Sequence, residues 1–183
     1  DVMNLWRRVN TWWYAYSAYS SVSNFRAPLH QAPLLQQFLT TAQQAVEAGK
    51  PQATLRFGHE SCLLPLACLM ELDEAGARNV PFDSLASVWQ NYKIFPMGCN
   101  IQWVFYKKPG SNDVIMKVLL NEAEARLPVP TDIAPYYHWN DVRKYYQAKL
   151  DAFAANQPET DCFTTSKGRK VTISHIKHGT LML

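Results

Sequence analysis

The stretch Ala53-Thr54-Leu55-Arg56-Phe57-Gly58-His59-Glu60-Ser61-Cys62-Leu63-Leu64-Pro65-Leu66 restricts the possible folds more than any other part of the chain. Thr54 to Phe57 favours β structure, Gly58 permits a turn, and an almost wholly apolar segment runs from Leu63 to Leu72. A short strand, a glycine turn and an apolar helix is the pattern by which α/β folds place chemistry at the carboxyl end of a buried strand. The pattern predicts a strand over 54–57 and a helix over 63–73, with Pro65 in the first turn, where its missing N–H costs nothing. His59 and Glu60 then fall at the junction. Backbone N–H groups at a helix start favour an anion. An imidazole beside a carboxyl group in such a place suits phosphate or acyl chemistry. Arg56, two residues before Gly58, can reach a phosphate bidentately, although a strand arginine more often pairs with a carboxylate at the sheet edge.

Upstream, Leu34, Leu35, Phe38, Leu39, Ala42, Ala45 and Val46 form an amphipathic helix stopped by Gly49, and Pro51 restarts the chain. Helix, tight turn, strand, helix is a βαβ-type wiring, satisfied by a parallel sheet with helices on its faces. At the N-terminus Trp6, Trp12, Trp13, Tyr14, Tyr16 and Tyr19 crowd together, and Leu5, Val9 and Trp13 recur at helical spacing, giving a helix over 2–16. These aromatics suit core packing with a rim, or a stacking platform for sugar or base rings.

Downstream, residues 88–97 read as irregular. Asn100 to Lys107 and Asp113 to Leu120 form a hairpin about Pro109-Gly110-Ser111-Asn112. After a loop opened by Asn121-Glu122, Val142, Tyr145, Tyr146, Leu150 and Phe153 line one face of a final helix. A linker over 156–160 separates residues 1–155 from a tail, 161–183, that alternates in the strand period around Ser166-Lys167-Gly168.

With 183 residues, 48% of them apolar and only 18% charged, the chain can build the core of one ordinary domain, which excludes disorder. A net charge of +3, with no Lys/Arg cluster longer than a pair before Lys167, argues against nucleic acid as a partner. No run of about 18 apolar residues offers a membrane span. Cys62, Cys68, Cys99 and Cys162 lack C-x-x-C or zinc-ribbon spacing, and Cys62 and Cys68 read as small core hydrophobes. His175 and His178, three apart in a strand, face opposite sides, so no shared metal is expected. His30 and His138 read as structural. Gly98 and Asn100 either line a pocket or only make the turn before a strand. No P-loop, dinucleotide fingerprint or Ser-His-Asp order occurs. No metal and no cofactor is expected.

The segment Leu-Arg-Phe-Gly-His-Glu-Ser-Cys-Leu-Leu-Pro-Leu resembles the second signature of the histidine acid phosphatases, branch 2 of the histidine phosphatase superfamily. It is most similar to bacterial relatives of phytases and multiple inositol-polyphosphate phosphatases. The likeness continues through MGCNIQWVFYKK, VIMKVLLNEAEARLPV and YYHWNDVRKYYQAKL, covering roughly residues 1–155. In block order it matches the C-terminal half of that family. The resemblance implies an α/β fold: the C-terminal half of a histidine-phosphatase sheet with flanking helices, followed here by a short β-hairpin. It implies that His59 contacts phosphate and stabilises the transferring group, that Glu60 protonates the leaving alcohol, and that the compartment is periplasmic or secreted. It also implies a phosphorylated small-molecule substrate such as an inositol phosphate.

Two departures stand out. The family's Arg-His-Gly-x-Arg-x-Pro motif, which carries the histidine nucleophile, is absent, and His178-Gly179, preceded by Lys177, does not replace it. The missing N-terminal half of the same fold is therefore an expected partner, and the isolated chain is expected to turn over poorly or not at all. The acid is also Glu60 where Asp is commoner, longer by about 1.5 Å; a misplacement of that size can cost about a hundredfold in rate. The tail over 160–183 resembles the opening hairpin of metallo-β-lactamase-fold hydrolases of the ascorbate-lactonase-like group, whose metal ligands have no counterpart here. The competing expectation is a non-catalytic α/β binding module that uses the Trp/Tyr-rich N-terminal region, with His59 and Glu60 incidental.

Overall fold

The computed structural model describes residues 1–156 and the backbone of two short strands, 161–164 and 170–173. Helix α1 (Val2–Ser17) starts at Asp1, whose carboxylate accepts from the Met3 N–H. Helix α2 (Ala32–Ala48) ends where Gly49 turns left-handed at φ 63°, a conformation that costs glycine nothing. Helix α3 (Glu60–Leu69) follows, then the single-turn helices α4 (Leu85–Val88) and α5 (Asn91–Ile94). The sheet comprises β1 (Ile101–Lys107), β2 (Val114–Leu120), β3 (Ala123–Ala125) and β4 (Tyr137–His138), and helix α6 (Trp139–Ala155) comes after it. Strands β5 (Asp161–Thr164) and β6 (Lys170–Ile173) pair antiparallel as a two-stranded sheet of their own. The Ser166-Lys167-Gly168 turn, His175 and His178 lie outside the described residues.

The fold is mixed α/β, and its sheet differs from the parallel one expected. β1, β2 and β3 run antiparallel in sequence order, and β4 adds to the same side of β2 as β3, so the sheet is open. Locality explains this. Tight turns bring consecutive strands together without a crossover. The second turn, Asn121-Glu122, has φ of 52° and 69°, the signature of a two-residue type I′ hairpin, although the sequence reads there only as a loop. Along β2, Val114, Met116 and Val118 are buried in strict alternation. Above that face, the rings of Phe38, Trp103, Phe105, Trp139 and Tyr146, drawn from α2, β1 and α6, meet mostly edge-on.

The expected strand over 54–57 does not form. Residues 51–59 carry no regular structure, and residues 47–62 are exposed throughout. A strand is stable only with a ladder partner, and β propensity does not supply one. Helix α3 also starts three residues earlier than its apolar run suggests and stops at Leu69. Pro65 therefore lies at the sixth helical position, where it removes one internal bond. The six residues Leu64 to Leu69 are all buried, and that burial holds the helix despite the loss. Of the two cysteines expected in the core, Cys68 is buried and Cys62 is exposed.

Candidate functional site

His59 is the N-cap residue of α3, with φ −96° and ψ 163°, and Glu60 is the first helical residue. The His59 carbonyl accepts from the N–H groups of Cys62 (3.0 Å) and Leu63 (3.2 Å). The N–H groups of Glu60 and Ser61 precede that first helical bond and are not capped by the His59 side chain. Both site side chains are exposed, and neither is hydrogen-bonded among the described residues. Glycine at 58 is demanded by nothing nearby: a Cβ there would meet no atom within 4 Å. A backbone or ligand could therefore approach closely.

Among the described residues, Arg56 does not pair with a carboxylate. Its Nη2 donates to Thr41 Oγ1 at 2.7 Å, and its guanidinium lies 4.8 Å from the centre of the Phe38 ring. It fastens the 51–59 segment along α2 and makes no contact with His59 or Glu60. Leu55 and Phe57, on either side of it, are 76% and 94% exposed. On the far side, Glu60 lies close enough to Cys99 to help raise that thiol's pKa, behind the larger effect of burial. Gly98, at φ 75°, and Asn100, which donates to the Gly98 carbonyl (3.3 Å) and accepts from Gln102 (2.9 Å), make the turn into β1. His30 is exposed. His138 bridges Asp113 (3.0 Å) and Asp132 (3.2 Å), and these hydrogen bonds, Asp113's above all, raise its pKa.

The densest polar cluster lies at the opposite end of α3. Glu71 meets Arg78, Lys149 (3.2 Å) and the Tyr145 hydroxyl (2.9 Å). Burial works to raise the Glu71 pKa, but these three partners outweigh it and hold the carboxyl below its ordinary value. Burial, with Glu71 beside it, pushes the Tyr145 hydroxyl up to about 12. Burial lowers Lys149 despite the pull of Glu71. Sequence reasoning missed this cluster because its members are spread from 71 to 149, with no shared spacing. A cavity of about 290 Å³ opens nearby, lined by Leu72, Asp73, Lys93 and Leu120 among others, and does not include His59 or Glu60. Every group in the Glu71 cluster has a partner, which suits a structural tie.

Among the described residues no three His, Cys, Asp or Glu side chains are placed to hold a metal ion, and no helix is long and apolar enough to cross a membrane. No protein-family model matches the chain, and no curated protein matches it.

Proposed function

We propose that this chain is the proton-donor half of a histidine acid phosphatase of the phytase-like type, hydrolysing phosphomonoesters of polyols such as inositol phosphates. His59 binds phosphate, Glu60 protonates the leaving alcohol, and a segment outside residues 1–183 supplies the histidine nucleophile. The observation that carries this reading is the state of the 53–60 stretch: His59 and Glu60 stand exposed at the start of α3, beside helix N–H groups, and none of these has a hydrogen-bond partner among the described residues. Next to them runs the exposed, irregular segment 51–58, whose Leu55 and Phe57 side chains stand in solvent and which has no ladder partner among the described residues. A strand from the nucleophile-bearing half would pair with Thr54–Phe57, cover Leu55 and Phe57, and bring its histidine to the carboxyl end of that strand. Gly58 leaves the room for such an approach. Arg56, held by Thr41 and Phe38, positions the segment.

The chemistry is consistent with these roles. Phosphomonoester cleavage expels a poor leaving group, and a placed general acid contributes about 10²–10⁴-fold. Positive and N–H groups on the equatorial oxygens stabilise the transferring group. The test is hydrolysis of an aryl phosphate by the chain alone and after co-expression with a segment bearing Arg-His-Gly-x-Arg-x-Pro. The chain alone should be silent, and the pair should be active. Glu60→Gln should reduce the paired activity by about 10²–10⁴-fold. Robust hydrolysis by the chain alone, or paired activity indifferent to Glu60, would sink the assignment.

A further inference from the structure

His138 stands on the face of the sheet turned away from the core. It pairs with Ile115 on β2, which pairs in turn with Tyr106 on β1, so these three side chains form one outward row. The neighbouring Tyr137 points inward and is buried. Two carboxylates close on the imidazole from its opposite edges. Nδ1 lies 3.0 Å from Asp113, at the end of the β1–β2 turn, and Nε2 lies 3.2 Å from Asp132, in loop 131–136. Carboxylates so placed cannot share a metal ion with the ring, whereas protons on both nitrogens satisfy both. A neutral imidazole has one N–H donor and an imidazolium has two. Making both bonds at once therefore requires the charged ring.

The loop that carries Asp132 lies along the same face. Tyr136 meets Tyr106 edge-on at 5.5 Å, and Lys117 Nζ stands 5.9 Å from the Tyr136 ring. The other hydrogen bonds of the loop are internal. Thr131 Oγ1 donates to the Tyr136 carbonyl (2.7 Å) and accepts from the Ile133 N–H (3.3 Å), and the Tyr136 N–H donates to the Ile133 carbonyl (2.9 Å). Among the described residues, the bond from Asp132 to His138 is thus the only one that fastens the loop to the sheet.

We propose that loop 131–136 is a strap over the outer face of the sheet, clamped while His138 is protonated and loosened when that proton is lost. On deprotonation the remaining N–H stays with Asp113, the shorter contact, and Nε2 turns a lone pair towards the Asp132 carboxylate. Two acceptors then face each other, and Asp132, whose side chain is 82% exposed, swings into water. The charges on the surrounding elements do not replace the clamp. Lys117 on β2 is tied to Glu124 (2.9 Å), and among the described residues neither Asp113 nor Asp132 pairs with Lys107, Lys108, Arg143 or Lys144. Asp141 and the positive start of α6 follow His138 directly, and the helix start opposes a charge on the ring. The hydrogen bonds outweigh it, that to Asp113 most, and hold the His138 pKa above its ordinary value. The sign follows. The clamp contributes fully below 6.5 and is lost as pH rises through the folded value. Because the partners are bathed in solvent, the grip is modest and the strap loosens without unfolding the sheet. The inference is independent of the phosphatase reading.

The test is an NMR titration of the full chain from about pH 5 to about pH 9, a range that spans histidine ionisation. The His138 ring should titrate above 6.5. Over the same interval the protection of the Ile133 and Tyr136 amides, corrected for the intrinsic pH dependence of exchange, should fall by about threefold, while the β2 amides stay unchanged. Contacts between the Tyr106 and Tyr136 rings should weaken in step. Asp132→Asn, at an exposed loop position, separates the clamp from a general loosening. Its amide accepts from a protonated Nε2 and donates to a neutral one, so the strap should stay closed on both sides of the titration and the fall should vanish. Protection at Ile133 and Tyr136 that ignores the His138 titration overturns the proposal. So does a fall that persists in Asp132→Asn, or a His138 ring that titrates at or below 6.5.

Discussion

Glu71 occupies a position where glycine is the usual residue. It lies just past α3 at φ 56°, and the Leu72 N–H donates to the Ala67 carbonyl (3.1 Å) while its own N–H donates to Cys68 (3.0 Å), a Schellman ending. The left-handed conformation costs a residue with a Cβ about 1 kcal/mol or more. The side chain offsets this through Arg78, Lys149 and Tyr145. Lys149 and Tyr146 in turn donate to the terminal carbonyls of Leu69 (2.6 Å) and Met70 (2.7 Å). Gly76 completes the corner, because a Cβ there would lie 2.8 Å from the Glu71 Cα. Removing one partner from so enclosed an ion pair costs about 3 kcal/mol, and relief of the left-handed strain returns about 1 kcal/mol. Glu71→Gly should therefore lower stability by about 2 kcal/mol in urea unfolding. The pH dependence has a definite sign. Glu71 titrates lower in the folded chain than in the unfolded one, so its contribution is present above the ordinary carboxylate range and is lost as pH falls through the folded value. Lys149 is depressed below 10.5, so the unfolded chain again binds more protons, and stability rises as pH climbs from the folded value towards 10.5. Glu71→Gly should remove the acid-side loss and start the alkaline rise at lower pH. An unchanged acid limb would show that Glu71 is not the titrating tie. None of this was legible in the sequence, where Glu71 is one acid after an apolar run. His59 and Glu60 were legible as a pair, because two adjacent polar residues interrupt an otherwise β-then-apolar stretch.

Among the elements, those with a strong period could be read and those set by a partner could not. Helices α2 and α6 repeat their apolar residues every three or four positions, and the β1–β2 pairing follows two β-rich runs about a proline-glycine turn. Strand β3 has three residues and β4 two, too few to carry a period, and the Asn-Glu turn between β2 and β3 lacks the usual glycine. In α1 the apolar spacing of Leu5, Val9 and Trp13 points to the wrong face, because only Trp13 of the three packs inward. A buried asparagine sets that face. Asn10 donates from Nδ2 to the Trp89 carbonyl (2.9 Å) and accepts at Oδ1 from the Asn91 N–H (2.8 Å), joining α1 to the corner between α4 and α5. Asn10→Leu would keep the bulk and leave both backbone groups buried and unpaired, at about 1–3 kcal/mol for each group so stranded. The expected loss is about 3 kcal/mol by urea unfolding, and it should be accompanied by faster amide exchange at Asn91. A loss below about 0.5 kcal/mol would mean that water replaces the asparagine without difficulty.

For the whole molecule, the described core and the proposed chemistry occupy different surfaces. The rings and aliphatics of α2, α3, α6 and β2 are buried together, while the run from 47 to 62 is exposed and, among the described residues, β1 pairs on one side only. A strand edge of this kind is a surface other chains can pair with. Amide exchange distinguishes an incomplete fold from a finished one. In the chain alone, the N–H groups of Thr54, Leu55, Arg56 and Phe57 have no acceptor among the described residues, so they should exchange at about the rate of an unstructured peptide. The N–H groups of β2, bonded on both sides, and those of α3 from Met70 back towards Leu66 should exchange only through global opening. Co-expression with the nucleophile-bearing segment should protect 54–57 by at least about a hundredfold while leaving β2 unchanged. Protection of 54–57 to the level of β2 in the chain alone would mean the segment already has a strand partner. The exposed stretch would then be no docking edge, and the phosphatase reading would lose its main support.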